Sequence, residues 1–459
     1  MTDMDIPTPQ QVWGYSWRSS PWFIISAMAV ALFTDTFLYS FIVPILPYMI
    51  EDRLRLDPSY TQRVSSWLLA ETAAVSVVIR VPLGHFADKS ASKRKWLLWA
   101  LVIALVSALC VAVGHSLVAL FIGRFVQGIA SSIMWVVGLT TVADNVHLEH
   151  MGKIYTTVSM AAAVGTSAGP TLAGVLFQLA GYWVAWSTAF AIIGVDIIFR
   201  LLMLESPHTS EIGPALNRNA DSERTPLLGN QQDESSPTTE RAEPGFYGCI
   251  FRKRNFVGGI YCNFISGLLV TSFNATLPLH VREVFHWGGM PSGLMFAAIQ
   301  APRLVMSPFV GWLKDRVGTR TPTAFAFTSL TPLIWLLGIP GNDRFPGLNR
   351  GNRGPVLYVI FLLFIGIQSA FLSGAGAIEA TLSVNELGQE HPGAFGPNDG
   401  KSRALAIVGV AWTLGNFVGP VLAGVLNERV DYYAMNCVLA GICAVSAIVA
   451  FVCLRPKLS

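Results

Sequence analysis

Charge is scarce in this chain. Asp, Glu, Lys and Arg make up only 13% of its 459 residues, against roughly 25% in ordinary soluble domains. Hydrophobic residues make up 52%, and a chain so poor in charge cannot hide that much apolar surface from water. The charge it does carry nearly cancels, at a net +3 spread along the sequence, which excludes the basic face of a nucleic-acid binder. Paired cysteines are also missing. Cys110, Cys249, Cys262, Cys437, Cys443 and Cys453 lack both regular spacing and neighbouring histidines, so no metal site is expected and the thiols read as apolar fillers. Clustered His, Ser or metal-ligand residues are lacking too, so neither an enzyme nor a bound cofactor is expected. The first twenty residues, among them Asp3, Asp5, Pro7 and Pro9, have no basic flank and no small-residue cleavage site. The first apolar stretch is therefore expected to remain as a membrane anchor.

What the sequence has in quantity is apolar runs of about 20 residues, the length that crosses a bilayer as a helix. Charges, Gly and Pro divide them into twelve expected helices, near 22–50, 60–87, 96–114, 118–143, 152–180 and 182–203, then 255–281, 290–314, 321–340, 354–385, 401–426 and 432–454. An all-α membrane protein of two six-helix bundles, 22–204 and 255–454, is expected, with tails at 1–21 and 455–459. Residues 205–254 are rich in Ser, Pro, Thr, Asn and charge, cannot bury enough apolar surface to order themselves, and read as a disordered linker. Lys and Arg divide 19 to 8 between the two sets of loops, the larger share falling on the side of both termini and the linker. By the positive-inside rule both termini are expected in the cytoplasm.

The two halves carry the same short motifs in the same order. Gly84, His85, Phe86, Ala87, Asp88 and Lys89 follow the second helix, as Gly311, Trp312, Leu313, Lys314, Asp315, Arg316, Val317, Gly318, Thr319 and Arg320 follow the eighth. In the fifth helix Gly165, Gly169, Pro170 and Gly174 match Gly415, Gly419, Pro420 and Gly424 of the eleventh. Small residues at four-residue spacing let helices approach closely in lipid, and proline frees a carbonyl and permits a bend. Both roles serve packing and gating alike.

The Gly-x-x-x-Asp-Arg-x-Gly-x-Arg loop from Gly311 to Arg320 resembles the signature of the major facilitator superfamily, over nearly the whole chain outside the tails and linker. That resemblance implies two pseudo-symmetric six-helix halves around a central path, and gating loops at Gly84, Asp88, Gly311, Asp315, Arg316, Gly318 and Arg320. The first loop departs from the pattern, with Ala91 and Ser92 where Gly and Arg are usual. The fifth-helix motif resembles that of the twelve-helix drug/proton antiporter branch. Within it, the run from Asp35 to Pro47 and the run from Thr141 to Asn145 resemble the vesicular amine transporters.

Ionisable residues at bilayer depth cost at least ~2.5 kcal/mol each and so mark function or pairing. Asp35 lies about 20 Å into the first helix at 1.5 Å per residue. Burial there disfavours the charged carboxylate, the condition for taking up a proton. Arg124 opens a Gly123 to Gly128 run resembling the family motif linked to proton coupling. Asp35, Arg124, Glu71 and Glu379 are the expected proton-coupling and path residues, with Tyr39, Trp135, Asn274, Trp412 and Asn416 as candidates for the substrate cavity. Arg80, Asp196 and Arg303 read as interhelical pairs or anchors. The amine transporters carry an acidic residue before the Pro-containing end of the seventh helix, where the matching stretch here is Phe273 to Pro278 without an acid. The acidic position of their eleventh helix appears as Gly409 and the lysine of their second as Thr72, so monoamine transport is not carried over.

The expected function is proton-coupled antiport, by alternating access, of a small organic solute of cationic or drug-like kind, driven by a proton gradient without a cofactor or metal. A symporter or facilitator of the same fold is the alternative, and a membrane-embedded receptor or enzyme the alternative of another class. A monomer is expected, with solute, protons and lipid as partners. Within the linker, Glu223, Leu227 and Leu228 fit an acidic dileucine signal for sorting adaptors, which favours a vacuolar or vesicular membrane over the plasma membrane.

Overall fold

In lipid a backbone must satisfy its own hydrogen bonds, so long apolar segments become helices. The computed structural model describes residues 14–88, 93–144, 151–204, 246–342, 345, 353–390 and 401–456. Among them are twelve membrane-length helices: α1 (Pro21–Phe41), α2 (Thr61–Asp88), α3 (Lys93–Val113), α4 (Leu117–Asp144), α5 (Met151–Ala180), α6 (Tyr182–Leu202), α7 (Arg254–Phe285), α8 (Gly289–Val317), α9 (Arg320–Leu337), α10 (Arg353–Leu372, continued by Ala375–Glu390), α11 (Lys401–Arg429) and α12 (Tyr432–Cys453). Length and composition alone qualify ten spans. The other two are α2, which carries Glu71 and Arg80, and α9, which is short and rich in Thr.

Three expected boundaries shift. The first helix does not run to residue 50 but ends at Phe41, and the chain continues through a turn into Leu46–Tyr48 and a π-helical Met49–Arg53. Pro44 and Pro47 withhold the N–H groups that a continuous helix needs there. The tenth helix breaks at Gly374, whose φ of 77° a side chain would resist. Residues 246–252, placed in the linker, form a helix, Phe246–Arg252, because Phe246 and Ile250 bury against Phe256, Ala380 and Val408.

Each half is a bundle. In the first, α1 packs on α5 and both α2 and α3 on α4; in the second, α7 packs on α11, α9 on α12 and α8 on α10. The halves meet where α5 packs on α8 and α2 on α11. Both described chain ends lie at one face, here the terminal face: Arg18 Nε donates to the Leu202 carbonyl at 2.6 Å, and Arg320 N to that of Arg455 at 3.1 Å.

The motif glycines explain how the halves fit. A Cβ on Gly165 or Gly169 would strike the backbone of Phe33 and Phe37 on α1, and one on Gly415 or Gly419 would strike Phe264 and Leu268 on α7. The third glycine of each copy faces the opposite half, Gly174 against Gly289 and Gly293 on α8, and Gly424 against Ser66 on α2. Both copies thus do the same work. Two glycines seat the helix in its own half and the third seats it on the other.

In this conformation the halves are closed at the face opposite the termini. Arg63 pairs with Glu428 and Arg282 with Glu51. Asn427 Nδ2 donates to Gln62 Oε1 at 3.2 Å, Gln62 Nε2 to the Ala275 carbonyl at 3.1 Å, and Met290 N to Gln178 Oε1 at 2.5 Å.

Candidate functional site

The apolar α4 carries a polar stripe at helical spacing, Arg124, Gln127, Ser131 and Trp135, and α1 presents Asp35 and Tyr39 one turn apart. Packing brings the two stripes together. Asp35, 7% exposed, accepts from Ser131 Oγ at 2.8 Å and Trp135 Nε1 at 3.0 Å through a single oxygen, Oδ2. One turn further along α1, the guanidinium of Arg124 lies 5.0 Å from the Tyr39 ring centre, donates to Gln127 Oε1 at 2.6 Å, and is 1% exposed.

Arg80 of α2 joins this site to the other half. Its guanidinium stands 5.7 Å from the Trp135 ring centre and Nη1 donates to Thr413 Oγ1 on α11 at 2.9 Å. A chain of contacts therefore runs from the carboxylate of Asp35 through Trp135 and Arg80 into the second half. Sequence reasoning read Arg80 as an interhelical pair or anchor and did not single out Gln127, Ser131 or Thr413. The four-residue spacing of Gln127, Ser131 and Trp135 was a legible signal, because polar groups repeated every turn of an apolar helix must share a polar neighbour.

The remaining expected path residues lie elsewhere. Trp412 and Asn416, one turn apart on α11, close over Gly267 of α7, where an added Cβ would stand 2.6 Å from the Trp412 carbonyl and 3.1 Å from Asn416 Oδ1. Asn274 lines a cavity inside the second half together with Ser266, Gln300 and Arg303. Glu71 borders a shallow groove along α4 formed by Leu117, Val118, Phe121, Ile122 and Phe125. Val118 and Ile122 are exposed on that groove, which gives it a bilayer-facing rim.

Glu379 departs from its expected place. It sits at the terminal face of the second half, fully buried, accepting from Thr319 Oγ1 and from Arg455 N at 3.2 Å, with Arg455 Nε 3.6 Å from its other oxygen. Arg455 also pairs with Glu386, and nearby Lys314 Nζ donates to the Ser373 carbonyl at 2.7 Å. The gating-loop residues of the second half belong to this cluster: Gly318, with φ 86°, turns the chain from α8 into α9, Arg316 lies over Trp312 and Arg320 over Phe451. Gly311 has no neighbour within 4 Å of where a Cβ would stand. Gly84 and Asp88 fall in the last turns of α2, and Asp315 in the last turn of α8. Asp196 is paired with Arg200 one turn along α6 at 3.1 Å, inside the first half. Glu223, Leu227 and Leu228 lie outside the described residues.

Comparison with known proteins places this architecture. The chain is 29% identical over 455 residues to the uncharacterised MFS-type transporter C18.02 of Schizosaccharomyces pombe, covering 98% of this chain and 99% of that one. It is 25% identical over 216 residues to the vesicular acetylcholine transporter of Tetronarce californica, 41% of this chain and 42% of that one. Its fold is that of a solved D-xylose-proton symporter, with a TM-score of 0.69 at 14% identity over 95% of this chain and 98% of the other. The sequence pattern of the Major Facilitator Superfamily matches residues 28–396, and the chain, with twelve membrane-length helices among its described residues, belongs to that superfamily as a multi-pass membrane transporter.

Proposed function

We propose that the protein exchanges protons for a small organic solute by alternating access, with Asp35 as the proton carrier. The observation that carries this reading is the placement of Asp35. It is the carboxylate at bilayer depth whose hydrogen-bond partner, Trp135, also touches the arginine that reaches across to the other half. Protonation of Asp35 weakens its hold on Ser131 and Trp135 and removes the negative charge beside Arg80, so it alters the Arg80–Thr413 contact between the halves. With the face opposite the termini closed, solute enters this conformation from the terminal face, and the lysine and arginine asymmetry supports reading that face as the cytoplasmic one. Export from the cytosol, into a vacuole, a vesicle or the exterior, is the direction that follows.

Reconstitution in proteoliposomes tests this. Under an imposed pH gradient the wild-type protein accumulates a solute found by counterflow screening, and Asp35→Asn loses gradient-driven uptake while keeping counterflow. Full gradient-driven uptake by Asp35→Asn would remove the proton role. For the membrane of residence, replacing Leu227 and Leu228 by Ala moves tagged protein to the plasma membrane if the dileucine signal is read, and leaves its location unchanged if it is not.

A further inference from the structure

The cavity inside the second half, between α7, α8, α9 and α10, contains a guanidinium that no carboxylate among the described residues answers. Arg303 lies fourteen residues from Gly289 and fourteen from Val317, at the middle of α8. Its guanidinium donates to the Ser373 hydroxyl, from Nε at 3.3 Å and Nη2 at 3.2 Å, and no carboxylate pairs with it among the described residues. A guanidinium at bilayer depth is costly unless an anion meets it. Asp35, by contrast, has Arg80 beside it. Within this cavity, among the described residues, the unanswered charge is therefore positive.

Two further groups point into the same space. Asn274 and Gln300, 5% and 6% exposed, line the cavity with Arg303, and their amides make no hydrogen bond among the described residues. Buried amides without partners are costly, and two of them beside an uncompensated guanidinium make a site built for a polar ligand. The rest of the wall is apolar, including Phe273, Phe296, Leu330 and Ile365. The free volume, about 30 Å³, is room for a head group and not for a whole solute, so the body of the ligand needs the bundle to open.

We propose that Arg303, with Gln300 and Asn274, receives the carboxylate of an amphipathic organic acid, which makes the transported solute an acid and not a simple organic cation. The guanidinium takes the carboxylate oxygens in its fork, the amides take the remaining lone pairs, and the aromatic and aliphatic wall takes the apolar body. A cationic head would face Arg303 at close range with no carboxylate among the described residues to offset it. A lipid phosphate is excluded by depth, since Arg303 stands at the middle of the span. The proposal rests on the transporter reading above and assigns the chemistry of its solute.

The test uses the purified full-length protein with a matched pair of probes, 4-phenylbutyrate and 4-phenylbutylamine, titrated by intrinsic tryptophan fluorescence. Wild type is expected to bind the acid at least about tenfold more tightly than the amine. Arg303→Gln is expected to lose that preference, Arg303→Lys to keep part of it, and Gln300→Leu to weaken acid binding while melting like wild type. If Arg303→Gln does not fold, Arg303→Lys and Gln300→Leu carry the test. Equal affinity for the two probes, binding of neither, or an unchanged preference in Arg303→Gln overturns the proposal. The two readings fail separately: gradient-driven uptake of amines but not acids sinks this one and leaves transport standing, whereas acid binding without uptake of any solute sinks transport and leaves the site.

Discussion

Arg80 on α2 donates to the hydroxyl of Thr413 on α11 at 2.9 Å, and Thr413 in turn donates to the Gly409 carbonyl at 3.0 Å, so a charged group of one half is held by the backbone of the other. Hydrogen bonds to charged groups contribute about 1.5 to 3 kcal/mol. Thr413→Val removes the acceptor at nearly constant volume. It is expected to shift the balance between the two conformations and change the solute turnover rate about tenfold or more, with protein yield unaffected. Wild-type turnover in reconstituted Thr413→Val would show that this contact does not govern rocking.

The third glycine of each repeat sets the closed face. A Cβ at Gly174 meets the Gly293 backbone at 2.9 and 3.0 Å as well as the Gly289 carbonyl, and one at Gly424 meets Ser66. Gly174→Ala and Gly424→Ala are each expected to disfavour this conformation by about 1 to 3 kcal/mol through overpacking. The readout is the cross-linking yield between Gln62→Cys and Asn427→Cys, which falls in both. Gly194→Ala and Gly441→Ala, where nothing lies within 4 Å of the added carbon, leave the yield unchanged.

Glu379 holds the terminal face of the second half together through Thr319 and Arg455. Hydrogen bonds to a charged group contribute about 1.5 to 3 kcal/mol, and Arg455 keeps Glu386 when Glu379 is neutralised. Glu379→Gln is therefore expected to lower thermal stability by an amount of that order while keeping proton-driven uptake, the reverse of Asp35→Asn. Loss of coupling without loss of stability would return Glu379 to the transport path.

Asp196 and Arg200, at 0% and 1% side-chain exposure, form a pair one turn apart within α6. Asp196→Leu alone leaves Arg200 buried and unpaired, and is expected to destabilise by about 3 to 5 kcal/mol. Combining it with Arg200→Met restores most of the melting temperature, because two well-packed apolar side chains need no mutual charge. A double variant no more stable than the single one would show that the pair holds more than its own charges.

The relation of sequence to structure differs from residue to residue. The repeated glycines were legible because small residues at four-residue spacing have few uses other than close helix approach. Asp35 was legible because its depth follows from counting residues along one helix. Glu379 was not, because Arg455 lies 76 residues further along the chain and covers it only after α12 returns to the terminal face. Nor was Arg303, since its isolation depends on which faces of α7, α9 and α10 surround it.

The sequence by itself determined that this chain crosses a membrane repeatedly, in two related halves, because apolar length, loop charge and repeated motifs are properties of one strand of text. Only the tertiary structure decided which buried charges meet partners. Asp35 gains Ser131 and Trp135, Glu379 gains Arg455, and Arg303 gains no carboxylate among the described residues, because in a low-dielectric interior the role of a charge is set by what folding places within a few ångströms of it.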